Sequence, residues 1–464
     1  MIALYVICGL GVASLVAELI NLKKWLIPFL VMGIAAAAVV AVRDWNTGGP
    51  SFYGMVVMDN VAVAFSTLIC VIAFFWFWMA NSYFHRETHV TDQAALVLFV
   101  VVGGLVLTSF NNMAMLFLGI EILSLSLYVL AGSRKESLLS NEAAFKYFLM
   151  GSFATGFLLM GIALVYGATG FFHLDKIAGY ILAHPHLNDS VGQADGLPGF
   201  FYVGVLLIVV GMAFKVSAVP FHFWAPDVYE GSPTVITALM STVVKVAAFA
   251  AFFRLLAFCF PQVHTSVHLA LLAITVLTLV VANVTAVYQI NVKRMLAYSS
   301  VGHAGYILLA LVAGGRGLGN AIFYYLAAYS AATLAAFAVL ALIEQEGSAT
   351  VEGFNGLFKR NPLLALAMSV ALLSLAGIPP FAGFLGKYMV FSLAVGQGYL
   401  NLVVLGVITS LIGVFYYFRV IVAMFFKEPS SGTLTLSLSI KVLLAVLMVL
   451  SLVMGIFPNM VLVL

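Results

Sequence analysis

The feature that most constrains the fold of this chain is a series of apolar runs of about 20 residues, the length that spans a bilayer, which recur along the whole sequence. In helical form each run crosses the ~30 Å hydrocarbon core of a membrane. Hydrophobic residues make up 64% of the 464 residues and charged residues only 8%, against roughly 25% charged in soluble proteins. Because no hydrophilic stretch is long enough for a soluble domain, the sequence predicts an all-α membrane protein with a single polytopic domain over residues 1–464.

Apolar windows separated by Gly, Pro and charged residues predict about 14 transmembrane helices. They lie near residues 2–22, 25–42, 58–80, 93–110, 112–132, 142–168, 200–220, 232–258, 264–288, 294–313, 318–343, 361–397, 401–426 and 440–463. The net charge of only +3 gives no reason to expect a nucleic-acid partner. The expected environment is the lipid bilayer.

The basic residues are distributed unevenly between the two sides of these helices. Twelve of the 20 fall on one side: Lys23, Lys24, Arg86, Arg134, Lys135, Lys146, Lys293, Arg294, Lys359, Arg360, Lys427 and Lys441. Four fall on the other side: Arg43, Lys176, Arg254 and Arg316. By the positive-inside rule the first side is cytoplasmic. We therefore expect both termini on the outer side of a bacterial cytoplasmic membrane.

The remaining basic residues, Lys215, Lys245, Lys387 and Arg419, fall inside predicted helices, and Glu121 is similarly central in its own segment. An ionisable group at the bilayer centre costs at least ~2.5–3.5 kcal/mol, and the usual reason for one is an ion or proton path. For any single residue, a structural ion pair is the alternative. Burial disfavours the charged form of a lysine, whereas a nearby carboxylate favours it. A glutamate–lysine pair that opens and closes is therefore a candidate device for loading and releasing a proton.

Two of these lysines lie beside prolines that interrupt a helix. Lys215 precedes Pro220 by five residues in the seventh predicted helix, and Lys387 follows Pro380 by seven in the twelfth. Proline removes a backbone donor, and irregular backbone at membrane depth is tolerated only in a protein interior or a wet cavity. A kink used only for packing is the alternative. The sequence thus predicts polar interior sites at both breaks.

The two broken helices are five apart, so they cross the membrane in opposite directions. Helices four to eight and nine to thirteen are therefore predicted to form two inverted-topology repeats, an arrangement that places transport sites near the midplane. The corresponding ranges are 93–260 and 261–427. Three helices over residues 1–92 precede the repeats, and one helix over residues 428–464 follows them.

Histidine titrates nearest neutrality, and two of the nine histidines are placed to relay protons between lysines. His222 follows the break in the seventh helix, and His303 lies within the tenth helix; for each, an ordinary buried histidine is the alternative. His184 and His186 are expected at the surface of an outer loop. The three cysteines, Cys8, Cys70 and Cys259, lack the spacing of metal or cluster ligands. No metal and no cofactor is expected in this chain.

Four segments carry a family resemblance: KVSAVPFHFWAPDVYEGSP, NVKRMLAYSSVGHAGY, LFLGIEILSLSLYVL and AGIPPFAGFLGKY. They resemble the antiporter-like subunits of respiratory complex I over nearly the whole chain. The resemblance implies a proton-translocating membrane subunit of NADH:quinone oxidoreductase without a redox site of its own. NADH, FMN, iron–sulfur clusters and quinone would be bound by partner subunits. The expected partners are other membrane-arm subunits, including a second antiporter-like subunit.

The resemblance also implies a role for individual residues. Glu121 matches the family's fifth-helix glutamate, Lys215 its seventh-helix partner, Lys245 the central lysine and Lys387 the terminal lysine. Lys146 is similar to a further family lysine near the start of helix six, which the resemblance implies as another proton relay. Because position 387 is lysine, where another branch carries glutamate, and because no long lateral helix follows helix fourteen, the chain is most similar to the subunit N branch. A subunit of a sodium/proton antiporter or membrane-bound hydrogenase, and a non-transporting scaffold, are the alternatives.

Overall fold

The computed structural model describes residues 1–19, 23–84, 89–183, 199–260, 265–347, 349–429 and 432–462. His184 and His186, which were expected at the surface, lie outside these residues. Within the described ranges the chain is helical, apart from turns and a two-residue antiparallel pair of strands, β1 (Pro50–Ser51) and β2 (Val56–Val57). The predicted all-α class is confirmed.

The described residues form 19 α-helices. The first ten are α1 (Ile2–Leu19), α2 (Lys23–Val42), α3 (Asn60–Phe84), α4 (Val90–Ser109), α5 (Met113–Ala131), α6 (Leu138–Thr169), α7 (Leu174–Ala183), α8 (Gly199–Lys215), α9 (Trp224–Gly231) and α10 (Thr234–Ser241). The other nine are α11 (Val243–Arg254), α12 (Thr265–Val287), α13 (Val292–Ala313), α14 (Leu318–Glu344), α15 (Leu357–Arg360), α16 (Pro362–Ala376), α17 (Ala382–Gly396), α18 (Leu400–Phe426) and α19 (Leu438–Ile456).

Length and composition show that this is a multi-pass membrane protein. Across the described ranges, 12 helical segments are long and apolar enough to cross a membrane, and α8, α16 and α17 are shorter apolar helices. The amphipathic helix α7, between α6 and α8, was not predicted, because its ten residues are too few for a spanning run. The count of about 14 crossings and the two inverted repeats stay predictions.

Both predicted helix breaks are confirmed. In the seventh predicted helix, 200–220, the regular helix α8 ends at Lys215 and α9 begins only at Trp224. The twelfth divides into α16 and α17 around residues 377–381. The backbone groups freed at the breaks find partners inside the protein. The N–H of Val219 donates to Thr278 Oγ1 at 2.9 Å, and Gly377, with a φ of +82°, ends α16 by donating its N–H to the carbonyls of Leu373 and Ser374. Such internal pairing is what allows irregular backbone at membrane depth.

Residues 232–258, predicted as one membrane span, correspond to the candidate span Thr234–Cys259, although its helix is not continuous. The helix is interrupted at Thr242, where φ is −115° and ψ is −80°, so α10 ends at Ser241 and α11 begins at Val243. The Thr242 hydroxyl donates to the carbonyl of Ala238 at 2.6 Å, a local bond that competes with regular helix pairing. No proline or glycine marks this break, which is why the sequence did not reveal it.

Helices α11, α13 and α14 lie in the middle of the molecule, and every residue of α11 is buried. Helices nearer the edge, such as α6 and α18, expose one apolar face, including Phe153 and Leu411. Small residues let neighbouring helices approach closely in membranes. At the contact of α6 with α8, a Cβ on Gly161 would lie 2.6 Å from the carbonyl oxygen of Gly204. The lysines on α11 and on the broken helices are therefore held inside a tightly packed bundle.

The assignment of Arg254 to an outer loop was wrong. Arg254 is the last residue of α11 and is 3% exposed. Its guanidinium forms two parallel bonds to Asp59, of 3.0 and 2.8 Å, and Nε donates to the carbonyl of Phe110 at 2.8 Å. Lys293 and Arg360, assigned to loops on the other side, are also buried at helix ends. These side chains turn inward because acidic partners and backbone carbonyls are available there.

Replacing Asp59 with asparagine is expected to destabilise the protein. Breaking a fully buried pair costs about 3–5 kcal/mol, because the remaining charge is left without a partner. Since a third of the Asp59 side chain is exposed, we expect about 2–3 kcal/mol. Thermal unfolding in detergent measures the effect, with the exposed Asp92→Asn variant as control. Equal melting temperatures for wild type and Asp59→Asn would contradict this account of the pair.

Candidate functional site

Lys215 ends α8 at the first helix break and is 6% exposed. Its Nζ donates to Ser124 Oγ of α5 at 2.8 Å. The ammonium also lies 5.9 Å from the ring centroid of Tyr147 on α6, a distance typical of a cation–π contact. The Tyr147 ring is in turn stacked on Trp224 at 4.5 Å, so the first residue of α9 supports the aromatic wall beside Lys215.

Glu121 lies one helical turn before Ser124 on α5, and its Oε1 accepts a bond of 2.8 Å from Thr155 Oγ1. Among the described residues, Glu121 and Lys215 form no direct ion pair, because the lysine reaches Ser124 instead. The carboxylate still acts electrostatically on Lys215. The sequence predicted that Glu121 and Lys215 act together. It did not show that the ammonium of Lys215 donates its hydrogen bond to Ser124.

Lys245 lies one turn after the break at Thr242 and is 2% exposed. Its Nζ donates to two acceptors on Ser300 of α13, the backbone carbonyl and, at 2.6 Å, the Oγ. The ring centroid of Tyr329 on α14 lies 5.7 Å from the ammonium, and the Tyr329 hydroxyl donates to the same Ser300 Oγ at 2.9 Å. Three helices thus converge on this lysine.

Lys387 lies on α17 after the second break and is 7% exposed. Its Nζ donates to Ser410 Oγ at 2.7 Å and to the carbonyl of Ala376 at 2.8 Å. Ala376 is the last residue of α16, so the ammonium lies at the negative end of a helix dipole. The ring centroid of Tyr306 lies 5.0 Å from Nζ. Gly377 leaves room for the lysine, because a Cβ there would lie 2.8 Å from Lys387 Cδ.

The same set of groups therefore occurs three times, each with a buried lysine, a serine hydroxyl and a tyrosine ring. The members are Lys215 with Ser124 and Tyr147, Lys245 with Ser300 and Tyr329, and Lys387 with Ser410 and Tyr306. Within the described ranges, none of the three lysines forms an ion pair with a carboxylate. A buried ammonium solvated by neutral hydroxyls and ring faces lacks the compensation that a counter-ion provides. Such a group is chemically suited to giving up and taking back a proton.

His303 lies between the second and third lysines. It follows Ser300 by one turn on α13, and its ring nitrogens bond to the hydroxyls of Tyr325 at 2.7 Å and Tyr417 at 3.3 Å. The charges of Lys245 and Lys387 both act on the ring. A small cavity lined by His303 and Tyr325 has room for about one water molecule.

Within the described residues, the other two predicted relay residues, His222 and Lys146, form no hydrogen bond with these lysines. His222 is buried in the segment between α8 and α9, its Nδ1 has no hydrogen-bond partner in the described structure, and its ring faces Tyr298 at a centroid distance of 6.4 Å. No hydrogen bond between described residues joins it to a lysine. The sequence placed His222 near the break correctly, and its role as a relay stays a prediction.

Lys146 belongs to a partly exposed ionic network. Its Nζ contacts Glu142 at 2.7 Å and Asp227 at 2.6 Å. Arg294 Nη1 extends the network, because it lies 2.8 Å from Asp227 and 2.7 Å from Glu230. Because these pairs join α6, α9 and α13, they fix the position of α9 after the first break. The contacts of Lys146 are with carboxylates, unlike those of the three buried lysines.

Sequence reasoning missed the hydroxyl and ring partners of the lysines. Serine and tyrosine are frequent in all these helices, so the type of residue alone carries little signal. Helical spacing was the available clue, because Ser124 lies one turn after Glu121 and Ser300 one turn before His303. Among the described residues, no group of three or more His, Cys, Asp or Glu side chains could hold a metal ion.

Comparison with known proteins gives consistent matches. The family model described as "NADH:quinone oxidoreductase/Mrp antiporter, TM" matches residues 110–413. The chain is 46% identical to NADH-quinone oxidoreductase subunit N of Cytophaga hutchinsonii, with 98% of each chain covered. It is 38% identical to the protein of the same name from Flavobacterium psychrophilum, again with 98% of each covered.

A solved structure shows the same fold over the same length. A chain of respiratory complex I from Thermus thermophilus superposes with a TM-score of 0.84 at 33% identity, covering 99% of this chain and 98% of that one. The matched family range includes all three lysines, Glu121 and His303. The chain therefore belongs to the NADH:quinone oxidoreductase/Mrp antiporter membrane family and, within it, to the proton-translocating, antiporter-like subunits of the subunit N group.

Proposed function

We propose that protons cross this subunit by way of Lys215, Lys245 and Lys387, with His303 relaying between the last two. The observation that carries the proposal is the threefold lysine, serine and tyrosine set inside the bundle, in which neutral groups hold each ammonium. A lysine in a permanent direct ion pair would be stabilised in its charged form. A lysine held by a hydroxyl can release its proton and keep a hydrogen bond, because the hydroxyl can donate as well as accept.

Glu121 is the proposed control group for the first lysine. A conformational or electrostatic change in a neighbouring subunit would alter the attraction between Glu121 and Lys215, and so the readiness of Lys215 to pass its proton toward Lys245. From Lys245 the proton moves through Ser300, water and His303 to Lys387, and is released on the outer side. The contacts favour His303 as a relay over His222 and Lys146, since only His303 lies between two of the lysines.

The subunit is proposed to work within a larger NADH:quinone oxidoreductase and to contain no redox site of its own. NADH, FMN, iron–sulfur clusters and quinone would be bound by partner subunits. The proposed neighbours are other membrane-arm subunits, including a second antiporter-like subunit. The proposed location is the bacterial cytoplasmic membrane with both termini outside, and residues 93–260 and 261–427 are the proposed inverted repeats.

Replacing Lys387 with alanine tests the proposed path at its outer end. The complex with this variant, reconstituted in liposomes, is expected to pump fewer protons per NADH oxidised, because the final acceptor is missing. The control is Lys359→Ala, which removes an exposed lysine paired with Glu428 and should pump normally. The pH change outside the liposomes and NADH oxidation are recorded together. Normal pumping by an assembled Lys387→Ala complex would exclude the proposed exit.

Purification of the complex distinguishes the proposal from its first alternative. We expect flavin and quinone-reductase activity to purify with this subunit. A sodium/proton antiporter of related fold would purify without either. The identities of 46% and 38% to proteins named subunit N favour the first result.

A further inference from the structure

Lys293 and Glu344 form an ion pair of 3.3 Å beside a pocket of about 220 Å³ that the mechanism above does not use. The pocket opens between the end of α3, the start of α10, the end of α14 and the start of α19, and Arg134 lies at its rim. All these helix ends fall on the side predicted to be cytoplasmic. Glu344, the last residue of α14, lines the pocket with a quarter of its side chain exposed, so water can reach it.

The carboxylate of Glu344 has two hydrogen-bond partners, Lys293 and Thr234. Oε1 accepts a bond of 3.3 Å from the buried Nζ of Lys293, and Oε2 accepts from the hydroxyl of Thr234. Lys293 is itself held by the carbonyl of Ser232 at 2.6 Å. Since Thr234 begins α10, the carboxylate connects the pocket to the first turn of the helix that leads to Lys245.

Buried hydroxyls continue from this point toward Lys245. Thr234, Thr237 and Ser241 are spaced by three and four residues, so they lie on one face of α10, and Thr242 at the break follows directly. Lys245 comes one turn after Ser241, about 16 Å along the helix from Thr234. The last three hydroxyls donate to backbone carbonyls, which leaves their oxygen lone pairs free to accept from water.

We infer that this pocket is the cytoplasmic proton entrance for Lys245, with Glu344 as the group that takes up the proton, Lys293 as its positioning residue, and the hydroxyl face of α10 as the route inward. The inference rests on the proposed function, since it assigns a source to the proton that Lys245 carries. The break at Thr242 places the end of the hydroxyl face next to the Lys245 site.

Replacing Glu344 with glutamine in the full complex tests the entrance. Glutamine keeps the size and hydrogen-bonding ability of the side chain but cannot take up a proton. Since a positioned proton-transfer group commonly contributes a hundredfold or more, we expect proton uptake through this subunit to fall by about tenfold or more. Glu344→Asp should restore much of it. The matched control is Glu352→Gln, an exposed carboxylate in the loop after α14, which should pump as the wild type does.

A second measurement does not depend on how well the Glu344 variant assembles. Ala341 lines the pocket, so a cysteine there should react with a membrane-impermeant thiol reagent added from the cytoplasmic side, and the reaction should block pumping. If Glu344→Gln pumps normally, or if labelled Ala341→Cys does, the entrance is overturned. The Lys245→Met variant distinguishes a wrong entrance from a wrong proton path. If this variant stops pumping, the path through Lys245 stands and only the entrance is wrong. If it pumps normally, the path itself is wrong.

Discussion

Replacing Lys215 with alanine is expected to abolish coupled proton pumping while NADH oxidation with artificial acceptors continues at the wild-type rate. The variant removes the first proton carrier and leaves Glu121 without the cation on which it acts. Loss of a positioned proton-transfer group lowers the rate by about a hundredfold or more, which is enough to stop turnover-linked pumping. Acidification by inverted membrane vesicles, followed together with NADH oxidation, measures both quantities.

The matched control for Lys215 is Lys135→Ala, which removes an exposed lysine from the loop between α5 and α6. It should leave both quantities unchanged. Complex assembly is checked from the rate with artificial acceptors, because that rate does not depend on proton movement. Pumping retained by an assembled Lys215→Ala complex would contradict the role given to this lysine.

Replacing Lys245 with arginine is expected to stop pumping as fully as replacing it with methionine. Arginine keeps a positive charge but does not lose its proton in proteins. A proton carrier at this position therefore fails in both variants, with about tenfold or greater loss. A charge that only holds helices together would be preserved by arginine and lost only with methionine.

This pair of variants also tests the scaffold alternative. A non-transporting scaffold predicts that Lys245→Met disturbs assembly, because the contacts to Ser300 would be lost. The proton-path account predicts that both variants assemble and neither pumps. The readouts are the amount of intact complex after purification and the protons moved per NADH. Wild-type pumping by Lys245→Arg would contradict the proton-path account.

The sequence predicted the fold class and both proline breaks because length, hydropathy and missing backbone donors act locally. The break at Thr242 was not predictable in this way, since threonine is common in helices and the distortion depends on a hydroxyl bond to Ala238. Arg254 was misplaced for a related reason. Its charge indicated a loop, but Asp59 stabilises it inside the bundle from a distant part of the chain.

For the site, the sequence identified the charged groups and not the groups that hold them. Lys215, Lys245 and Lys387 stand out because charge inside an apolar run is rare. Their partners Ser124, Ser300 and Ser410 come from other helices of the bundle, so only the packing reveals them. Lys293 was a charged group that the sequence misplaced: it was assigned to a loop, but it is buried and bonds to Glu344.

The central claim is that a hydrated path joins the three lysines, and a density map of the assembled complex at a resolution that shows water tests it most directly. The account predicts ordered waters that link Lys215, Lys245, His303 and Lys387 at hydrogen-bonding distances. Dry, close-packed side chains separating these residues, or lysines that face lipid headgroups, would contradict it.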